Sequence, residues 1–232
     1  MAVSRFFLLL GVLGLVVGCS PATHRAPGPG PAGPGASRAA QAFLDAWQRS
    51  LTTSWSVEES VRRTTRVGRT ITFSAHRAQR PPDHLETGLG TVDQRAGDRT
   101  VACGAGAGGS LACSPAIAAP PYAKVIADQL ATLRMYVAGR TALYAVAQLG
   151  GCFELRLRLA SYPVPPYGRM ATFCFDPTTG APAGSVIARD EGTDRMVVVD
   201  AHSPATDADL ALPDAGQLAV IGAQAHRAVS GG

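Results

Sequence analysis

Apolar and polar positions change rhythm several times along the chain, and each change marks an element. Residues 6–17, Phe6 to Val17, form one unbroken apolar run behind a single cation at Arg5. Further on, Phe43, Leu44, Trp47 and Leu51 fall on one helical face, with Asp45, Gln48 and Arg49 elsewhere and Ser37 placed to cap the start. Trp55 to Thr65 suits either period, and its valine and threonine content predicts a strand. Arg69 to Gln79 alternates Ile71, Phe73 and Ala75 against Thr70, Thr72 and Ser74 until Arg80-Pro81-Pro82-Asp83 breaks the ladder. His84 to Gln94 alternates through Leu85, Leu89 and Val92, and Ala96-Gly97-Asp98 turns the chain into Arg99 to Cys103. This stretch reads as a meander of antiparallel strands.

Helical spacing returns after Pro120-Pro121, where Val125, Ile126, Leu130, Leu133 and Val137 share a face and Gly139 supplies a stop. Strands resume at Ala142 to Gln148. In the stretch from Cys152, Phe153, Leu155, Leu157 and Leu159 alternate with Glu154, Arg156 and Arg158, so one face is buried and one is wet. Pairing this strand with Arg169 to Phe175 so that Cys152 lies opposite Cys174 also sets Phe153 opposite Phe173 and Leu155 opposite Ala171. One register then serves both a disulfide and the apolar face, with the proline-rich Ser161 to Gly168 as the loop. Beyond the turn at Asp176 to Gly180, Gly184 to Arg189 and Arg195 to Ala201 supply two further strands, and the core ends near Pro213. Residues 214–232 read as a weakly ordered tail in which Leu218, Val220 and Ile221 are the apolar residues available for a short element.

The leading apolar run is too short to span a bilayer, since its helix would rise about 18 Å against a hydrocarbon core of roughly 30 Å. Cation, short apolar run and small residues make residues 1–18 a signal peptide. Its end, Val16-Val17-Gly18-Cys19, resembles the lipobox of bacterial lipoprotein precursors. That resemblance implies cleavage before Cys19, a diacylglyceryl thioether on the Cys19 sulfur and an acylated new terminus, for instance with palmitate. A single acyl chain binds a bilayer marginally, whereas two or more anchor durably. Residues 19–38 continue with Ala-Pro-Gly-Pro-Gly-Pro-Ala-Gly-Pro-Gly, a tether with nothing to bury. The expected organisation is signal peptide 1–18, lipidated cysteine and tether 19–38, one domain 39–213 and the tail, held on the extracytoplasmic face of the cell membrane.

Charge and cysteines narrow the function. The chain carries a formal +4, with a single lysine, Lys124, and scattered arginines, so no basic stripe points to nucleic acid. Four cysteines beyond Cys19 in an exported chain suggest two disulfides, for which the count alone permits three pairings. Strand register favours Cys152 with Cys174, and Cys103 with Cys113 would close the glycine-rich loop between them. No CxxC pair offers a zinc site. Catalytic signatures are missing from the sequence: there is no GxSxG elbow, HExxH, P-loop or SxxK. His202 lies near Asp200, Asp207 and Asp209, yet without ligand spacing, and Ser203-Pro204 reads as an ordinary loop with turn and cap residues. No catalytic residue, metal or cofactor is expected.

The order of parts is signal, lipobox, spacer, helix, strands, helix and more strands, ending in Phe173-Cys174-Phe175-Asp176-Pro177-Thr178-Thr179-Gly180. It is similar to the superfamily of lipoprotein carriers related to LolA and LolB and to the actinobacterial envelope lipoproteins of that fold, over roughly Ala39 to Pro213. The resemblance implies an α+β fold, a curved antiparallel half-barrel covered on its concave face by amphipathic helices, and a lipid or glycolipid ligand held between them without enzymatic chemistry. The expected lining is Phe43, Trp47, Leu130 and Leu133 from the helices and Phe73, Leu155 and Phe173 from the sheet. A tethered scaffold with a filled core and a surface protein partner is the competing expectation. The family's carrier is soluble, so an anchored chain departs from it.

Acylation is checked by mass spectrometry of the membrane fraction, which should find a lipidated N-terminal peptide beginning at Cys19. Unchanged membrane partitioning of a Cys19→Ala protein would refute the lipid anchor.

Overall fold

In the computed structural model, residues 37–105, 110–159 and 161–230 are described, so the expected signal peptide, Cys19 and most of the tether lie outside it. The alternating stretches pair into one antiparallel sheet: β1 Trp55–Thr65, β2 Thr70–Arg80, β3 Asp83–Gly88, β4 Thr91–Ala96, β5 Arg99–Ala105, β6 Leu111–Cys113, β7 Ile117–Ala118, β8 Tyr144–Leu149, β9 Cys152–Leu157, β10 Met170–Phe175, β11 Pro182–Arg189 and β12 Gly192–His202. Its order is β6-β5-β4-β3-β2-β1-β12-β11-β10-β9-β8, with β7 beside β5. Two meanders, β1 to β6 and β8 to β12, are therefore joined where β1 pairs with β12, Ser56 opposite His202 and Thr65 opposite Gly192. The curved sheet is open, with β6 and β8 as its edges among the described residues.

The sequence register holds at the C-terminal meander. Cys174 faces Cys152, Phe173 faces Phe153 and Ala171 faces Leu155. The Cys152–Cys174 and Cys103–Cys113 sulfurs are at bonding distance. Because side chains alternate, Cys152 and Cys174 sit on the face opposite Phe153 and Phe173, so the first bridge lies outside the aromatic core it accompanies.

Helix α1, Arg38–Thr52, starts where Ser37 Oγ accepts the Ala40 N–H at 3.2 Å, as its sequence position implied. It buries Ala40, Phe43, Leu44 and Ala46 against β8 to β10. Its end is fixed by the β10–β11 turn, where Asp176 accepts N–H groups of Thr178 at 2.9 Å and Thr179 at 2.7 Å. Gly180 in that turn has φ +72°, and a Cβ there would lie 2.9 Å from Arg49 Cγ, so glycine lets the turn approach the helix. Helix α2, Tyr122–Val137, connects the two meanders across the α1 face. At its start the Tyr122 hydroxyl donates to Leu51 O of α1 at 2.7 Å and the Tyr122 ring lies under Arg95 of β4; at its end Leu133 and Val137 join the cluster on β8 to β10.

Three features depart from the sequence reading. The span His84 to Gln94 is two strands, split at Leu89-Gly90, where Gly90 has φ +73°. The short element for which the tail's apolar residues were available is a sixteen-residue helix, α4, Ala215–Ser230, which sets Leu218 and Ile221 against Leu85, Val92 and Cys103 of the sheet. The aspartates after His202 form a one-turn helix, α3, Asp207–Leu210, whose Leu210 joins the same cluster. Ala78 and Leu85 in that cluster point away from Arg77 and Glu86, so α3 and α4 cover the N-terminal meander on the face opposite α1 and α2. The expected helices take their face, and two more cover part of the other.

Between Val57 and Val61 on the α1 face stands Glu59, 1% exposed, gripped by the Nε and a terminal nitrogen of Arg77 in a bidentate ion pair. Burial opposes the Arg77 charge, but Glu59 outweighs it and holds the guanidinium firmly protonated. Removing one partner strands the other in a site built for two charges. Glu59→Gln is expected to destabilise by about 3 kcal/mol, read from the urea midpoint with both disulfides intact.

Candidate functional site

On the α1 face the C-terminal meander and the two helices bring together an aromatic cluster. The Phe43 ring lies 5.6 Å from Trp47, 5.5 Å from Phe153 and 6.0 Å from Phe173. Trp47 meets Phe173 edge-on at 5.5 Å, and Tyr167 meets Phe173 the same way at 5.4 Å. Such tilted and edge-on pairs place ring edges against ring faces, the arrangement that the ring quadrupole favours. The helical spacing of Phe43 and Trp47 and the two-residue spacing of Phe153 with Leu155 and of Phe173 with Phe175 deliver these side chains to one place.

Of the seven lining residues read from the sequence, Phe43, Trp47, Leu133, Leu155 and Phe173 belong to this cluster. Phe73 is buried on the same face but in a neighbouring group with Val61, Ala75 and Met196. Leu130 is buried on α2 about one turn before Leu133 and is not part of the aromatic cluster. The sequence reading missed Tyr136, Tyr144, Tyr167 and Phe175. Phe175 was signalled by its alternation with Phe173, and Tyr144 by its place at the head of a strand; Tyr167, within a proline-rich loop, carries no periodic signal.

Tyr144 ties this loop down: its hydroxyl donates to Gly168 O at 3.0 Å and accepts the Tyr167 N–H at 2.9 Å. Burial pushes the Tyr144 hydroxyl up to about 12 and raises Tyr167 as well, so both rings stay neutral in the physiological range. They serve as packing and hydrogen-bonding groups.

Toward β5 the same face turns ionic. Register sets Arg77, Glu86 and Asp93 side by side, with His84 Nε2 3.8 Å from a Glu86 oxygen. Burial, with Glu86 adding to it, raises the Asp93 carboxyl; at Glu86 burial acts the same way but is outweighed by His84 and Arg77, and its carboxyl is lowered. The α1 face is therefore divided, aromatic over β8 to β10 and charged over β3 and β4.

The residues around His202 have a structural task. Its Nε2 lies 2.9 Å from Asp209 Oδ2, and that oxygen accepts the Thr206 N–H at 2.6 Å and hydroxyl at 2.7 Å in the capping box of α3. Among the described residues, no group of three or more His, Cys, Asp or Glu is arranged to hold a metal ion. Among them, too, no helix is long and apolar enough to cross a membrane.

The architecture is an open antiparallel α+β half-barrel with an aromatic cluster under its helices. No protein-family model matches the chain, and no curated protein matches it by sequence. Among solved structures it is similar to MucB in complex with MucA(peri), with 14% identity and a TM-score of 0.42 over 75% of this chain; it spans 60% of the length of that MucB chain. It is also similar to a LolA superfamily protein from Nitrosomonas europaea, with 8% identity and a TM-score of 0.32 over 76% of this chain and 99% of the other. The third is lipoprotein LppX from Mycobacterium tuberculosis, with 15% identity and a TM-score of 0.34 over 72% of this chain and 98% of the other.

A pH dependence follows from the α3 cap. Burial would raise the Asp209 carboxyl, but the Thr206 hydroxyl and N–H and the His202 ring outweigh it and hold it well below the usual range. A carboxyl lowered by folding contributes stability that is present above its unfolded value, near 3.9, and lost as pH falls through the folded value. Asp209→Ala should cost about 1 kcal/mol at neutral pH, and in urea titrations its deficit should shrink as pH drops below about 4.

Proposed function

We propose that this chain is a non-enzymatic lipoprotein of the cell envelope, anchored through acyl chains on Cys19, that takes up an acyl chain or similar apolar ligand against the α1 face of its half-barrel. The observation that carries this reading is the make-up of that face. Its apolar residues form separate clusters, one around Phe43 and Phe173 and another around Val61 and Phe73. Helix α2 bridges the region between the flanking strands, so an acyl chain lying beneath it would join the clusters into one apolar surface. Trp47, Tyr136 and Tyr167, partly buried at the margin, supply faces for methylenes to pack on. The ionic half beside Glu86 and Asp93 would suit the polar end of a lipid or glycolipid.

A second reading, a tethered scaffold with a filled core and a protein partner, is favoured by the complete burial of Phe43, Tyr144 and Leu155. The two readings differ in uptake. The mature chain, carrying Cys19→Ser and exported behind a conventional signal peptide, is offered a membrane lipid extract and weighed by native mass spectrometry. Ligand binding predicts adducts of lipid mass whose affinity rises by about 0.8 kcal/mol per methylene and depends little on salt. Leu155→Arg, checked for folding, should weaken uptake. A correctly folded protein that takes up no lipid leaves the scaffold reading.

A further inference from the structure

The rim of the sheet at which β9 ends and β10 begins gathers loops from distant parts of the chain. Arg66 N–H of the β1–β2 turn donates to Glu191 O of the β11–β12 turn at 2.8 Å. Asp190 in that turn pairs with Arg169, whose N–H donates to Ala188 O at 2.8 Å and whose carbonyl accepts from Leu157 at 2.9 Å. Beyond it, Arg158 N–H donates to Leu143 O at 2.9 Å, next to Gly139 and Arg140, which follow α2. Gly168, with φ +68°, fits here because a Cβ would run into the Ala188 carbonyl. These loops form one continuous rim, fixed by backbone hydrogen bonds.

Several of the exposed large apolar side chains lie on this rim. Val67 is 89% exposed at the tip of its turn, and Leu159 and Val164 are each 56% exposed, with Tyr162 beside them. Single exposed apolar residues are ordinary, but several on neighbouring loops of one rim mark a surface for interaction. Around them stand exposed Arg66, Arg140, Arg158 and Arg169 against the two carboxylates Asp190 and Glu191, a local excess of positive charge. Apolar tips ringed by arginines and a tyrosine match a surface that is apolar within and anionic at its boundary, which is the chemistry of an anionic phospholipid leaflet. A folded protein partner would offer a shaped apolar pocket to one tip, whereas here the tips come from separate loops along a rim.

We infer that this rim docks on an anionic phospholipid surface, with Val67, Leu159, Tyr162 and Val164 entering the headgroup boundary and Arg66, Arg140 and Arg158 meeting lipid phosphates. The inference rests on the reading that Cys19 is acylated, which keeps the domain near a leaflet. Docking then orients the half-barrel with this rim toward the lipid.

The test uses the full chain, purified from membranes and reconstituted into phosphatidylcholine vesicles with or without phosphatidylglycerol. An environment-sensitive fluorophore is placed on Val164→Cys or, as a control at the other end of β10, on Thr178→Cys, and doxyl-labelled lipid is the quencher. Docking predicts quenching at 164 at least about two-fold that at 178 in the anionic vesicles, falling toward equality at high salt or without phosphatidylglycerol. Exchanging exposed charges in an Arg66→Glu, Arg158→Glu chain should abolish the contrast while the circular dichroism stays unchanged. Equal quenching at both positions in a chain that floats with the vesicles overturns docking alone. A contrast that persists in the charge-reversed chain also overturns it. A chain without acyl mass that fails to float overturns the anchor and the docking together. Should the double variant misfold, the comparison of 164 with 178 in the parent chain still decides.

Discussion

The rest of the structure depends on the span of α2. The helix touches Arg95 of β4 at one end and packs beside β8 at the other, and these strands are eight positions apart in the sheet. Laid flat, eight spacings cover about 38 Å. Sixteen helical residues rise about 24 Å. A helix that short can reach both strands only if the sheet bends toward it, so the connection and the curvature are one fact. The bend in turn brings Phe43 and Trp47 of α1 over the aromatic strands, and it is held by the Tyr122 hydroxyl on Leu51 O and by Leu133 and Val137 among the phenylalanines.

Packing on both faces explains how so large a sheet is stabilised with so few helices. The C-terminal meander and the neighbouring β1 and first half of β2 bury the α1 face, whereas the end of β2 and β3 to β5 bury the opposite side under α3 and α4. Where neither pair of helices supplies enough apolar surface, charges are paired instead: Glu59 with Arg77, and Asp194 with both Arg63, at 2.6 Å, and Arg189, at 2.6 Å. Those pairs sit on β1, β2, β11 and β12, on the α1 face, next to the point at the end of β2 where the buried side changes. Ion pairs satisfy a half-covered surface in a way that a leucine would not, since each guanidinium keeps some contact with water.

Much of this was legible in the chain. The Cys152 to Cys174 register followed from alternation because each strand there has one wet and one buried face, and any one-residue slip would have reversed both. The α1 and α2 faces were legible because helices of that length carry a complete apolar stripe. Helix α3 is only four residues long and shows no period. Helix α4 was legible only as a short element: Leu218, Ile221 and Ala225 recur at helical spacing, but among glycines and alanines that do not mark its length. The split between β3 and β4 was missed because Leu89, at the turn, looked like one more alternating apolar residue. The aromatic cluster was found only in part, since Tyr167 arrives from a loop, and nothing local in a sequence says which loop will fold back over which strand.

The seam between β1 and β12 has a consequence for the order in which the molecule is made. A chain made from its N-terminus presents β1 early, and β1 can pair at once with β2 through the hairpin at Arg66 to Arg69. Its other edge has no partner until His202 has emerged. During that interval an eleven-residue strand stands with a bare row of donors and acceptors, the kind of edge that recruits other chains. Synthesis of this fold therefore includes a waiting period in which the first strand must be kept from the wrong neighbour, and the last strand to appear is the one that ends it.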